Sequence, residues 1–168
     1  MRVCTRIAVV GVGNEFRRDD GVGWAVVARL GERGARRPWP PDVMLATCDG
    51  DPARLIGLWE GADLAVVVDA AHAHPATPGR VHRLALQDAH LCGPTTTSSH
   101  GLGLGEAVEL ARVLGLLPRE LIVYAVEGAD SAFGTGLSPA VAAAVAPLAD
   151  AVGNDIARHP HTMSGSRS

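Results

Sequence analysis

Lysine is missing from this chain, and all fifteen of its basic residues other than histidine are arginine. No GxxxxGK[ST] phosphate loop occurs, and without lysine that mechanism has no cation to work with. Aromatic residues make up only 4% and no basic stripe interleaves with them, while the net charge is -3. Nucleic acid is therefore not an expected partner. The short Arg33–Arg37 cluster flanks a Pro-rich turn and reads as a solvated helix end. Cysteine is scarce and odd in number, at Cys4, Cys48 and Cys92, with no CxxC pair. That argues against a disulfide framework or a zinc-finger site and fits a reducing, cytoplasmic setting. No apolar run approaches the roughly 20 residues that span a bilayer, so no membrane association is expected. Ala140–Val152 is the nearest, and Pro147 and Asp150 interrupt it. Met1–Val12 reads as a short strand rather than a secretion signal. No G-x-S-x-G elbow is present, which disfavours a serine hydrolase of that type.

What is present is a strand–helix alternation in 168 residues, a length that suits one domain with a real core. Ile7–Val10, Val43–Thr47, Leu64–Val68, Val81–Leu86 and Leu121–Val126 read as strands, the fourth as a wetter edge strand. Gly21–Leu30, Pro52–Trp59, Leu102–Leu114 and Pro139–Arg158 have helical spacing. Asp19 or Asp20 is a natural N-cap for the first helix, with Gly31 or Gly34 as its stop. Leu102, Ala107, Leu110, Ala111 and Leu114 share a face of the third helix. Ser138-Pro139 opens the fourth helix with a cap followed by proline at its first position. The expectation is a single α/β domain over residues 1–158: a three-layer sandwich with a twisted, mostly parallel five-stranded sheet and helices on both faces. Residues 159–168 read as a disordered tail.

In such sheets ligands bind beyond the carboxyl ends of the strands. Asp20, Asp69 and His100 all fall in segments belonging to that edge. Asp20 lies in Gly11-Val-Gly-Asn-Glu-Phe-Arg-Arg-Asp-Asp-Gly-Val-Gly23, Asp69 ends Leu64-Ala-Val-Val-Val-Asp69, and His100 closes Thr95-Thr-Thr-Ser-Ser-His100. Each has an ordinary explanation: a helix cap, a strand-end acceptor, a surface residue opening a helix. Yet a carboxylate that follows an apolar run is costly to bury unless paired or ligated. Together the two acids and the imidazole suit a divalent first-row metal with open positions. The pair Gly11-x-Gly13 invites a nucleotide-binding reading, but Phe16 stands where the third glycine belongs, and a tight strand-to-helix turn explains both glycines. His72 and His74 sit beside Pro75 and Pro78 and read as exposed. His82 has no evident partner, and Glu106, Glu109 and Glu127 read as surface or cap residues, although Glu127-Gly128 could edge the site.

G-V-G-N-x-x-x-x-D-D-G-V-G at residues 11–23, V-V-V-D-A at 66–70 and S-S-H-G-L-G-L at 98–104 resemble the hydrogenase maturation proteases. The resemblance implies an endopeptidase that removes the C-terminal extension of a nickel-iron hydrogenase large-subunit precursor after nickel insertion. It implies Asp20, Asp69 and His100 as catalytic and metal-contacting residues, with nickel supplied by the substrate rather than held by the free enzyme. It places substrate near Asn14, Asp49 and Gly50. The family's first acid is often glutamate; here it is the shorter Asp20, with Asp19 as an alternative. Cys48-Asp49-Gly50-Asp51-Pro52 departs from the Asp-Gly-Gly-Thr form of better-known members. The expected partner is the hydrogenase precursor, and the expected state a monomer. A non-catalytic precursor chaperone, a nucleotide-binding module and a self-contained metallohydrolase remain competing readings.

Overall fold

Strand order in the sheet is β2-β1-β3-β5-β4. The computed structural model describes residues 6–87 and 103–159. The strands are β1 (Ile7–Val12), β2 (Val43–Cys48), β3 (Leu64–Ala71), β4 (Val81–Gln87) and β5 (Glu120–Glu127). Four run parallel, and β4 closes one edge antiparallel to β5. Every residue of β1 and β3 is buried. That is why these strands are continuous apolar runs rather than alternating ones: a central parallel strand is covered on both faces.

Four helices supply the cover: α1 (Val22–Arg36), α2 (Pro52–Trp59), α3 (Gly103–Leu114) and α4 (Pro139–Arg158). On one face Val22, Val26 and Leu30 of α1 meet Val141, Leu148, Val152 and Ile156 of α4 over Val9, Val66 and Tyr124. On the other, Leu55, Ile56 and Trp59 of α2 and Ala107, Val108 and Ala111 of α3 pack over Val10, Val67 and Val123. The expected three layers are thus present. By length and composition α4 would reach across a bilayer. It is nonetheless an amphipathic core helix, with its apolar stripe against α1 and the sheet.

Local chemistry sets the helix ends. The Asp51 side chain accepts from the Arg54 N–H at 3.2 Å, and Pro52 occupies the first position, where a missing N–H is harmless. The glycine stops expected for α1 do not operate: the helix runs through Gly31 and Gly34 to Arg36. It stops at Arg37, which is extended ahead of Pro38. Gly34 instead admits Trp39, whose ring would lie 2.7 Å from an added Cβ. The buried stripe of α3 also differs from expectation. It is centred on Ala107, Val108 and Ala111, leaving Leu110 and Leu114 exposed on its flank. His100, the remainder of 88–102, and residues 160–168 of the expected tail lie outside the described residues.

Candidate active site at the carboxyl edge of the sheet

The strand β1 leads through Gly13 into a turn, then a short 3₁₀ helix (Arg18–Gly21), then α1. Two glycines let this connection fold flat against the sheet. A Cβ on Gly23 would lie 2.3 Å from the Val68 carbonyl oxygen, and one on Gly11 would lie 2.3 Å from the Gly23 oxygen. No side chain fits either place. The close approach seats the start of α1 on the ends of β1 and β3, and with it the preceding pair Asp19-Asp20. Gly11 therefore serves helix–strand packing, while Gly13 takes a φ of 142° at the turn.

Asp19 and Asp20 are both buried, at 2% and 3% exposure, and neither side chain caps α1, whose N-cap is Gly21. Both acids belong to the 3₁₀ turn that precedes the helix. Asp19 is a clamp. Its Oδ2 accepts from the Ala129 N–H at 2.8 Å, the Asp130 N–H at 3.0 Å and the Ser138 hydroxyl at 2.9 Å. Its Oδ1 accepts from the Ser138 N–H at 2.7 Å. Burial alone would raise the Asp19 pKa, but these donors outweigh it and hold the carboxyl below its ordinary value. Ser138 is the N-cap of α4 as expected, but its hydroxyl serves Asp19 rather than its own helix. Both oxygens of Asp19 are thus engaged by the 129–138 segment.

Asp69 is 1% exposed and sits within β3 rather than ending it, since the strand continues to Ala71. It pairs in register with Ala125 of β5 and follows Val68, the residue against which Gly23 is pressed. Its Oδ1 accepts from the Ala70 N–H at 2.8 Å. Asp20 and Asp69 thus reach the same sheet edge from different stretches of chain. Among the described residues no three potential ligands gather into a metal-binding group. His100, the third member expected, lies outside those residues.

Asn14 and Asp49 frame the same edge. The Asn14 side chain accepts from the Phe16 N–H at 2.9 Å and shapes the turn. The Cys48 carbonyl accepts from Gly13 at 2.9 Å, tying the end of β2 to that turn. Asp49 is exposed. Its carboxyl is held low first by the Asp51 N–H, which donates to it at 3.2 Å, and further by Arg54 at 3.6 Å. Gly50 has a φ of 97°, a conformation glycine adopts without strain, and its N–H lies 3.5 Å from the Cys48 sulfur.

Glu127 is 3% exposed, not a surface residue. His82, for which the sequence offered no partner, lies with Nε2 2.7 Å from Glu127 Oε2, and the Thr77 N–H donates to Oε1 at 3.1 Å. His82 first and the Thr77 amide second hold this carboxyl below its usual value. A second unforeseen network joins Tyr124, Asp155 and Arg83 between β5, α4 and β4. Burial, then the hydrogen bond to Asp155, pushes the Tyr124 phenol up to about 12. A buried acid in a helix and a histidine on an edge strand carry no local signal, because their partners lie far away in sequence. His72 and His74 are exposed, as expected.

Against known proteins, residues 25–154 match the family model HycI, described as hydrogenase maturation protease. The hydrogenase 2 maturation protease of Escherichia coli K12 is 28% identical over 149 residues, covering 88% of each chain. The hydrogenase expression/formation protein HupD of Bradyrhizobium diazoefficiens is 30% identical over 148 residues, covering 86% of this chain and 74% of its own. Among solved structures, the hydrogenase maturating endopeptidase HybD of E. coli superposes with a TM-score of 0.73 at 25% identity, covering 91% of this chain and 93% of its own.

Proposed function

Because the chain belongs to the hydrogenase maturation protease family, we propose that it cleaves the C-terminal extension from a nickel-iron hydrogenase large-subunit precursor once nickel is in place. The observation that carries the reading is the pair of buried carboxylates, Asp20 and Asp69, delivered to one sheet edge while Asp19 is committed to the 129–138 segment. Carboxylates gathered in a buried setting at the edge where such sheets bind ligands are candidates for chemistry.

On this proposal Asp20, Asp69 and His100 contact the nickel that arrives with the substrate. Two oxygen donors and an imidazole suit a first-row divalent ion and leave positions for the precursor's own ligands. The contact fixes the scissile peptide bond beside a carboxylate that can accept a proton from water. Water then adds to the carbonyl carbon, the C–N bond breaks, and the released amine takes up the proton. Asn14, Asp49 and Gly50 line the approach of the substrate chain. The partner is the precursor, and the proposed setting is the cytoplasm, where the precursor acquires its metal. We propose that the enzyme acts as a monomer.

The test is processing of purified nickel-loaded and nickel-free precursor, read by electrophoresis. Cleavage confined to the loaded form is expected, and equal rates would refute nickel as the recognition element. Asp69→Asn and His100→Ala should each abolish processing with an unchanged circular-dichroism spectrum. Normal processing by either variant would remove that residue from the site.

A further inference from the structure

A groove of about 490 Å³ runs beside the site, lined among others by Phe16, Gly21, Trp24, Ala28, Thr47 and Leu137. Its lining includes Gly21, the residue after buried Asp20. Along its side lies Thr47 of β2, an edge strand whose ladder partner is β1. The Trp24 indole N–H donates to the Cys48 carbonyl at 3.3 Å, fixing an apolar wall against the end of that strand. A further part of the wall is the 135–137 segment, which follows Gly134. It is joined to the first loop by an Arg17–Gly134 bridge, the Gly134 N–H to the Phe16 oxygen at 2.8 Å and the Arg18 N–H to the Gly134 oxygen at 3.1 Å. Asp19 locks both loops in place from beneath. At the rim Phe16 is 61% and Phe133 83% exposed, and the Arg17 guanidinium lies 5.2 Å from the Phe133 ring centre.

Exposed aromatics, one of them with an arginine over its ring, are costly to leave in water and are the residue types that anchor partner chains. An edge strand beside the groove offers backbone groups to an extended segment, the strand-addition mode of peptide recognition. We infer that this groove seats an extended, apolar stretch of the precursor polypeptide and leads it past Gly21 to Asp20, with Phe16 and Trp24 as anchors. The inference rests on the proteolytic reading for its occupant.

Ala28→Arg places a charged side chain at an exposed helix position inside the groove, away from Asp20. Phe16→Ala removes an anchor. Each should raise KM for precursor processing by about tenfold or more with kcat little changed, as loss of a hot-spot contact does. Phe16→Leu should recover most of the loss, and Ala143→Arg, on the exposed face of α4, should process like the parent. Binding of the precursor to the Asp69→Asn protein, with and without Ala28→Arg, reads docking separately from cleavage. Loss of binding through Ala28→Arg supports the groove even if no cleavage is ever seen, in which case the protease reading alone fails. Unchanged KM and unchanged binding in both groove variants would overturn the inference. So would a concentration-dependent dimer that Ala28→Arg dissolves, since the groove would then hold a second copy of the chain.

Discussion

Replacing Asp19 by asparagine isolates the clamp beneath the site. Asparagine has one acceptor oxygen and two N–H donors where the carboxylate has two acceptors. In the better orientation its oxygen takes the Oδ2 position and keeps the Ala129, Asp130 and Ser138 hydroxyl bonds. Its amide then points a donor at the Ser138 N–H, 2.7 Å away in the parent. Leaving that buried amide unsatisfied costs about 1–3 kcal/mol, and the three remaining bonds lose their charge assistance. The sum is about 3 kcal/mol, which for a chain of this size lowers the melting temperature by about 6–12 °C. Because the Asp19 pKa is depressed in the folded state, its contribution is full above the ordinary value of 3.8 and is lost as pH falls through the folded value. The gap between parent and Asp19→Asn should therefore hold at neutral pH and close in strong acid. Thermal unfolding by circular dichroism across pH reads both effects. A variant melting with the parent at pH 7, or a gap that persists unchanged in acid, would refute the clamp.

Gly23→Ala should destabilise by about 3 kcal/mol or more by urea titration, since its Cβ would lie 2.3 Å from a backbone oxygen that cannot retreat. Tyr124 is the chain's single tyrosine, so ultraviolet titration of phenolate reads it directly; half-ionisation near 12 rather than 10 is expected. That raised value stabilises the fold below about pH 10 and is lost as pH climbs toward 12, so unfolding should become easier across that interval, and less so in Tyr124→Phe. Glu127→Ala should speed hydrogen exchange at the Thr77 amide, whose acceptor it removes, while exchange at Val66 in the middle of the sheet stays slow.

Periodicity carried most of the architecture. Buried parallel strands advertise themselves as unbroken apolar runs, and α2 and α4 announce their starts with Asp51-Pro52 and Ser138-Pro139. Asp69 was legible for the same reason: a carboxylate inside an apolar run stands out. The engagement of Asp19 was not legible, because it depends on amides at Ala129, Asp130 and Ser138 more than a hundred positions away. The glycine stops of α1 misled because Gly34 makes room for Trp39 instead of ending the helix. The Glu127–His82 pair stayed hidden because β4 returns antiparallel at the sheet edge, and Tyr124–Asp155 because it joins β5 to α4 across 31 positions; no local pattern encodes either.

The bonds from Asp19 to Ser138 span 119 positions of the chain. During synthesis the first aspartates emerge early, but the amides that arrest Asp19 come only with the start of the last helix. Until then the acidic pair has no fixed geometry, and the closing segment must find it across a long loop. A ribosome-bound chain cut short before Ser138 should therefore be inert toward polypeptides, so that cutting competence appears only once the last helix has begun.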